Sequence, residues 1–91
     1  MSETLNEGDL LTQAALQHSQ ERLAHLITEG ENFDISIFRH EGLPYAYKLA
    51  WMVEGNEIDF MLTVTKVAIG KRGGVKTEIV VDRQFTERIE A

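Results

Sequence analysis

Glu57-Ile58-Asp59-Phe60-Met61-Leu62-Thr63-Val64-Thr65 is the stretch whose reading decides the fold of this chain. Ile58, Phe60, Leu62 and Val64 recur at every second position, with Glu57, Asp59, Met61, Thr63 and Thr65 between them. Successive side chains of a pleated strand point to opposite faces, so this alternation predicts a strand with one apolar face. Downstream, Gly70-Lys71-Arg72-Gly73-Gly74 is rich in residues that tolerate positive φ and predicts a turn. Val75, Thr77, Ile79 and Val81 then alternate with Lys76, Glu78 and Asp82 as a further strand. The tail from Arg83 to Ala91 is mixed, open to extending that strand, forming a short helix or fraying.

Upstream, Glu54-Gly55-Asn56-Glu57 has the composition of a hairpin turn. The residues before it, Tyr45 to Val53, fit two patterns. As a strand they place Tyr45, Tyr47, Leu49, Trp51 and Val53 on one face. As a helix, Leu43, Tyr47, Ala50, Trp51 and Glu54 follow the spacing of three and four. The aromatic enrichment and the hairpin signal favour the strand. His40-Glu41-Gly42-Leu43-Pro44 predicts a turn. Before it, Phe33, Ile35 and Ile37 alternate with Asp34 and Ser36 as a first strand near 33–39.

The N-terminal part has a different period. Over residues 10–29, Thr12, Ala15, Leu16, Ser19, Leu23, Leu26 and Ile27 fall on one side of a helical projection. Gln13, Gln17, Glu21, His25 and Glu29 fall on the other. Asn6 or Asp9 suits the N-cap and Gly30 the left-handed position past the end. Residues 1–8 are expected to be a flexible N-terminus. The fold class is therefore α+β: an N-terminal amphipathic helix packed on a four-stranded antiparallel β-meander over residues 33–82, in a single domain spanning 1–91. Met52, Met61, Val67, Ile69 and Val80 are left on the second face of the sheet. That face is too apolar to be fully wet, which points to a dimer or a partner surface.

Composition narrows the function classes. The chain has 91 residues, 43% hydrophobic and 26% charged, with one proline and no cysteine. A domain of this length buries roughly 60–65% of its unfolded surface, so association would help it. Without cysteine, disulfides, thiolate zinc sites and cysteine nucleophiles are excluded. Lack of disulfides in so small a domain suggests a reducing compartment. Met1 to Glu7 holds no apolar core of a signal peptide, and no apolar run approaches the roughly 20 residues of a bilayer span. The expectation is a cytoplasmic protein without membrane association.

The net charge of −6 is unevenly placed. Residues 1–41 hold eight acids against Arg22 and Arg39, whereas residues 42–91 hold seven acids and seven bases. Such a balance opposes direct nucleic-acid binding, which rests on neutralising phosphates. Glu21, Glu29 and Glu31 form either a solvated helix surface or a docking site for a basic partner.

Catalytic patterns are missing. His18 and His25 stand two helical turns apart, about 10.5 Å, too far to share a metal ion. His40 beside Glu41 and near Tyr47 would serve acid–base chemistry only if the fold converged them. No serine occupies a Gly-x-Ser-x-Gly elbow and no phosphate loop is present. Gly70-Lys71-Arg72-Gly73 matches the Gly-x-x-Gly loop of nucleic-acid clamps, but here it joins strands rather than helices. With Lys66 and Lys76, Lys71 and Arg72 make a basic hairpin tip able to touch an acidic group. Tyr45, Tyr47 and Trp51 belong to a core or, being of the types that anchor interfaces, to a contact surface.

The run Val53-Glu54-Gly55-Asn56-Glu57-Ile58-Asp59-Phe60-Met61-Leu62-Thr63-Val64-Thr65-Lys66, followed by Gly73-Gly74-Val75-Lys76 and Val80-Val81, resembles the trypsin-co-occurring domain family. The likeness covers about a third of the chain, and the leading helix fits it as well. It implies a non-catalytic accessory domain that works beside a peptidase or signalling enzyme in bacterial conflict systems. No catalytic residue carries over. The resulting expectation is a non-enzymatic protein-interaction or accessory domain, homodimeric, needing no cofactor or metal and binding a protein partner. The alternative is an acidic inhibitor, phage-encoded or not, that occupies a basic nucleic-acid-binding surface of a host protein. Candidate interaction residues are Glu21, Glu29, Glu31, Tyr45, Tyr47, Trp51, Lys71 and Arg72.

Overall fold

Asn6 sets where the helix begins. Its side-chain Oδ1 accepts the backbone N–H of Asp9 at 2.8 Å, satisfying one of the amides that a helix start leaves unpaired. In the computed structural model, which describes residues 6–88, helix α1 runs Glu7–Thr28 from that cap. It therefore takes in Glu7 and Gly8 of the segment expected to be flexible, and residues 1–5 lie outside the described part. At the other end, Gly30 adopts φ of 82°. The amides of Gly30 and Glu31 turn back onto the carbonyls of Ile27 and Leu26 at 3.1 and 2.9 Å, which closes the helix.

Four strands follow: β1 Phe33–His40, β2 Leu43–Glu54, β3 Glu57–Ile69 and β4 Val75–Arg88. They form one antiparallel sheet in the order β1-β2-β3-β4. The ambiguous stretch 45–53 is strand. The turn expected over five residues is tighter: only Glu41 and Gly42 lie between β1 and β2, with φ of 52° and 81°. Positive φ at both positions matches the right-handed strand twist, which lets His40, Leu43 and Pro44 remain paired in the sheet. The β2–β3 connection uses Gly55, φ 58°, as its first central residue.

The sheet does not end at Asp82. β4 continues through Arg88, so most of the tail set apart from the sheet belongs to it. The pattern was hidden by a bulge. Val64 pairs with Val81 but Thr65 pairs with Ile79, leaving Val80 as an extra residue. The inserted residue reverses which side chains face inward, so Val81, Arg83 and Phe85 continue the inner face although Val75, Thr77 and Ile79 do not. Val80 itself packs against the core instead of joining the second face. Residues 89–91 lie outside the described part.

The core is the seam between α1 and the inner face of the sheet. Leu11, Ala15, Leu49, Leu62, Val64 and the aromatic side chains of Tyr45, Tyr47, Trp51 and Phe60 are buried there. Leu16, Leu23, Leu26 and Ile27 complete the helix side. Trp51 donates its indole N–H to the Glu31 carbonyl at 3.0 Å, which ties the helix exit to the middle of the sheet. Phe38 stacks on Tyr45 and Phe60 on Phe85, with centroids 5.7 and 5.2 Å apart. The molecule measures 50 × 40 × 19 Å. Its thin dimension is that of one helix layer over one sheet layer, with one side of the sheet open.

Candidate functional site

The open side is more apolar than its alternation suggested, because β1 presents the opposite phase to it. Ser36 lies opposite Tyr47 and Phe38 opposite Tyr45, so that phase of β1 faces α1. Phe33, Ile35 and Ile37 consequently point away from the helix, with exposures of 45%, 60% and 67%. They join exposed Met52 and Met61 and half-buried Ala46 and Ala50 on the uncovered face. Farther along β3 and β4, Ile69, Val75 and Ile79 extend the same surface. Scattered exposed apolar side chains are normal, but a contiguous sheet face of them marks a contact surface.

Register fixes the charges on this face. Ile35 lies opposite Lys48, Lys48 opposite Thr63, and Thr63 opposite Asp82, so the four form one row across the sheet. The rows on either side are Phe33–Ala50–Met61–Gln84 and Ile37–Ala46–Thr65–Ile79. Arg39 and Asp59 stand near opposite ends of the face, and the Asp59 carboxylate accepts the Thr86 hydroxyl at 2.8 Å. Arg39, Lys48 and Arg88 stand against Glu54, Glu57, Asp59 and Asp82 on this face, so it carries only a net −1 in a chain of charge −6.

On the covered side, the inward phase of β1 carries Asp34 into the helix–sheet seam, where it is 7% exposed. Ser19 Oγ donates to its carboxylate at 2.6 Å and Tyr47 Oη at 2.5 Å. Arg22 Nη2 lies 3.1 and 3.0 Å from the two carboxylate oxygens and donates to Tyr47 Oη at 2.7 Å. Burial pushes the Asp34 carboxyl up, but the three hydrogen-bond donors and the arginine charge outweigh it and hold it below its usual value. Burial and the hydrogen bond to Asp34 raise Tyr47. With every buried oxygen partnered, Ser19 fully buried and the Asp34 carboxylate beside it also engaged by Tyr47 and Arg22, this cluster fastens helix to sheet rather than presenting a nucleophile. The pattern missed it because an aspartate within a strand reads as the solvent side.

Other polar candidates remain apart. His18 sits edge-on to Tyr47 at 5.9 Å, with Nε2 3.4 Å from Ser36 Oγ. His25 meets Glu29 at 3.1 Å. His40 packs against Tyr45, centroids 6.4 Å apart, whereas Tyr47 lies opposite Ser36, four residues along β1. That offset is about 13 Å, so His40 and Tyr47 do not converge. Among the described residues, no group of three metal-ligating side chains gathers.

The sequence-derived interaction residues divide into two groups. Tyr45, Tyr47 and Trp51 are 1%, 2% and 6% exposed, so they build the core and offer no ring to a partner. Glu21, Glu29, Glu31, Lys71 and Arg72 are exposed. Glu21 lines an open cleft of about 680 Å³ beside His18, Arg22 and Arg39, cations or potential cations that break up any acidic patch there. Lys71 and Arg72 cap an arm in which β3 and β4 pair alone beyond Lys66, the last β3 residue paired with β2. No helix of the described residues is long and apolar enough to cross a membrane. Comparison with protein-family models, curated proteins and solved structures yields no match.

Proposed function

We propose that this chain is a non-enzymatic protein-interaction domain whose working surface is the uncovered face of its sheet. One observation carries the reading: Phe33, Ile35, Ile37, Met52 and Met61 share an open face on a sheet covered by a helix on its other side only. Apolar area of this kind is stabilised by removal from water at about 25 cal/mol per Å². The Asp34 carboxylate and the hydroxyls of Ser19 and Tyr47 are already engaged within the fold. Resemblance to the trypsin-co-occurring domain family adds an accessory role beside a bacterial peptidase or signalling enzyme. The cysteine-free composition suits a cytoplasmic setting.

A photo-reactive residue placed at position 35 or 61 in the living host tests the reading. Protein adducts are expected from these positions and not from position 21, on the outer side of the helix. Adducts from position 21 alone would overturn it and favour an acidic surface that captures a basic partner.

A further inference from the structure

The row Ile35–Lys48–Thr63–Asp82 constrains which partner the open face fits. Lys48 and Asp82 stand on either side of Thr63, one strand away in each direction, so about 10 Å separates them. A surface that carries a cation and an anion at equal distances from a central residue is complementary to itself. It becomes so under rotation about an axis that lies in the interface and runs along the central strand.

We propose that the open face binds a second copy of this chain, sheet against sheet, about a two-fold axis running along β3. The proposal rests on the reading of that face as an interaction surface. Rotation about this axis exchanges the β2 and β4 sides while keeping position along the strand. Lys48 of each copy then faces Asp82 of the other, and Met61 and Thr63 meet their own copies near the axis. Ala50 meets Gln84, and small Ala46 receives Ile79. An axis across the strands instead would set Lys48 over Lys48 and Asp82 over Asp82, so charge selects the first arrangement. Packed sheets stand about 10 Å apart, a gap that an extended lysine and an aspartate fill between them. Isologous pairing of this kind is the commonest route to a dimer.

Charge complementarity selects this occupant. About this axis β2 to β4 of one copy cover β2 to β4 of the other, and β1 lies outside the overlap. Three strands by about eight residues make a flat footprint of roughly 14 × 27 Å, to which side-chain relief adds accessible area, about half the ~800 Å² per partner of a standard interface. Most of the acidic excess of the chain lies elsewhere, and about this axis Glu54 of each copy also faces Arg88 of the other. Asp59 and Glu57, toward one end of β3, meet their own copies and are the like-charge contacts of this pairing.

Sedimentation equilibrium on the wild type, Lys48→Asp, Asp82→Lys and the double reversal tests the pairing. The wild type is expected to dimerise. Each single reversal sets like charges against each other twice and should weaken the dimer at least about tenfold. Mixing the two single variants restores both opposite-charge contacts, so a mixed dimer near wild-type strength is expected; the double reversal should recover likewise. A mixture no tighter than either variant alone overturns the axis, because loss of an attraction within one chain cannot be repaired by mixing. A wild-type chain still monomeric at about 100 μM overturns self-pairing altogether. In that case, adducts to a different protein from positions 35 and 61 would leave the interaction reading standing, and their absence would remove both.

Discussion

Asp34→Ala is expected to destabilise the domain by about 3–4 kcal/mol, since hydrogen bonds to charged groups contribute ~1.5–3 kcal/mol each. Ser19 is fully buried and Tyr47 nearly so, and both hydroxyls lose their acceptor when the carboxylate goes. Arg22 is 44% exposed and regains water, so its loss adds little. In a domain of this length each 1 kcal/mol moves Tm by about 4–8 °C, so a fall of more than about 12 °C is expected by calorimetry. The sign of the pH dependence follows from the lowered Asp34 carboxyl. Its stabilising contribution is complete above the unfolded value of about 3.9 and is lost as pH falls through the still lower folded value. The gap between wild type and variant should therefore be widest at neutral pH and narrow on acidification below about pH 3. A variant within about 1 kcal/mol of wild type at neutral pH would show that the cluster does not fasten the helix to the sheet.

Adjacent residues on β3 separate folding from association. Leu62 is fully buried between sheet and helix, while its neighbour Met61 is 51% exposed on the open face. Leu62→Ala leaves a cavity that the seam closes only in part, a loss of about 2–5 kcal/mol in urea unfolding. Met61→Glu exposes its new charge to water in the monomer and should change monomer stability by under about 0.5 kcal/mol. In the paired state it buries two carboxylates near the axis, and the dissociation constant should rise at least about a hundredfold. Equal damage to folding from both substitutions would place Met61 in a core and refute the division between the two faces.

Most of the fold was legible because its main elements carry unmixed periods. Ile58 to Val64 alternate strictly, and the helix shows one apolar side ended by Gly30. The difficulties arose where one pattern serves two outcomes. In β1 the apolar phase is the outward one, because the register with β2 and the need to partner Asp34 determine which side faces the helix. Neither is visible within eight residues. In β4 the extra Val80 reverses the alternation, so the second half no longer continued the pattern of the first. Tyr45, Tyr47 and Trp51 have the chemistry of interface anchors, but being on the helix side makes them core. The apolar surplus of the open face was readable. Its row of Ile35, Lys48, Thr63 and Asp82 was not, since strand register exists only in the folded sheet.

The rate of Met61 oxidation by peroxide, followed by mass spectrometry across protein concentration, tests the covered face most directly. A free methionine peptide in the same tube serves as the reference. Half-exposed in the single chain, Met61 should oxidise readily in dilute solution and become protected as concentration rises through the dimerisation range. A rate that stays at its dilute value at every concentration would contradict pairing through this face.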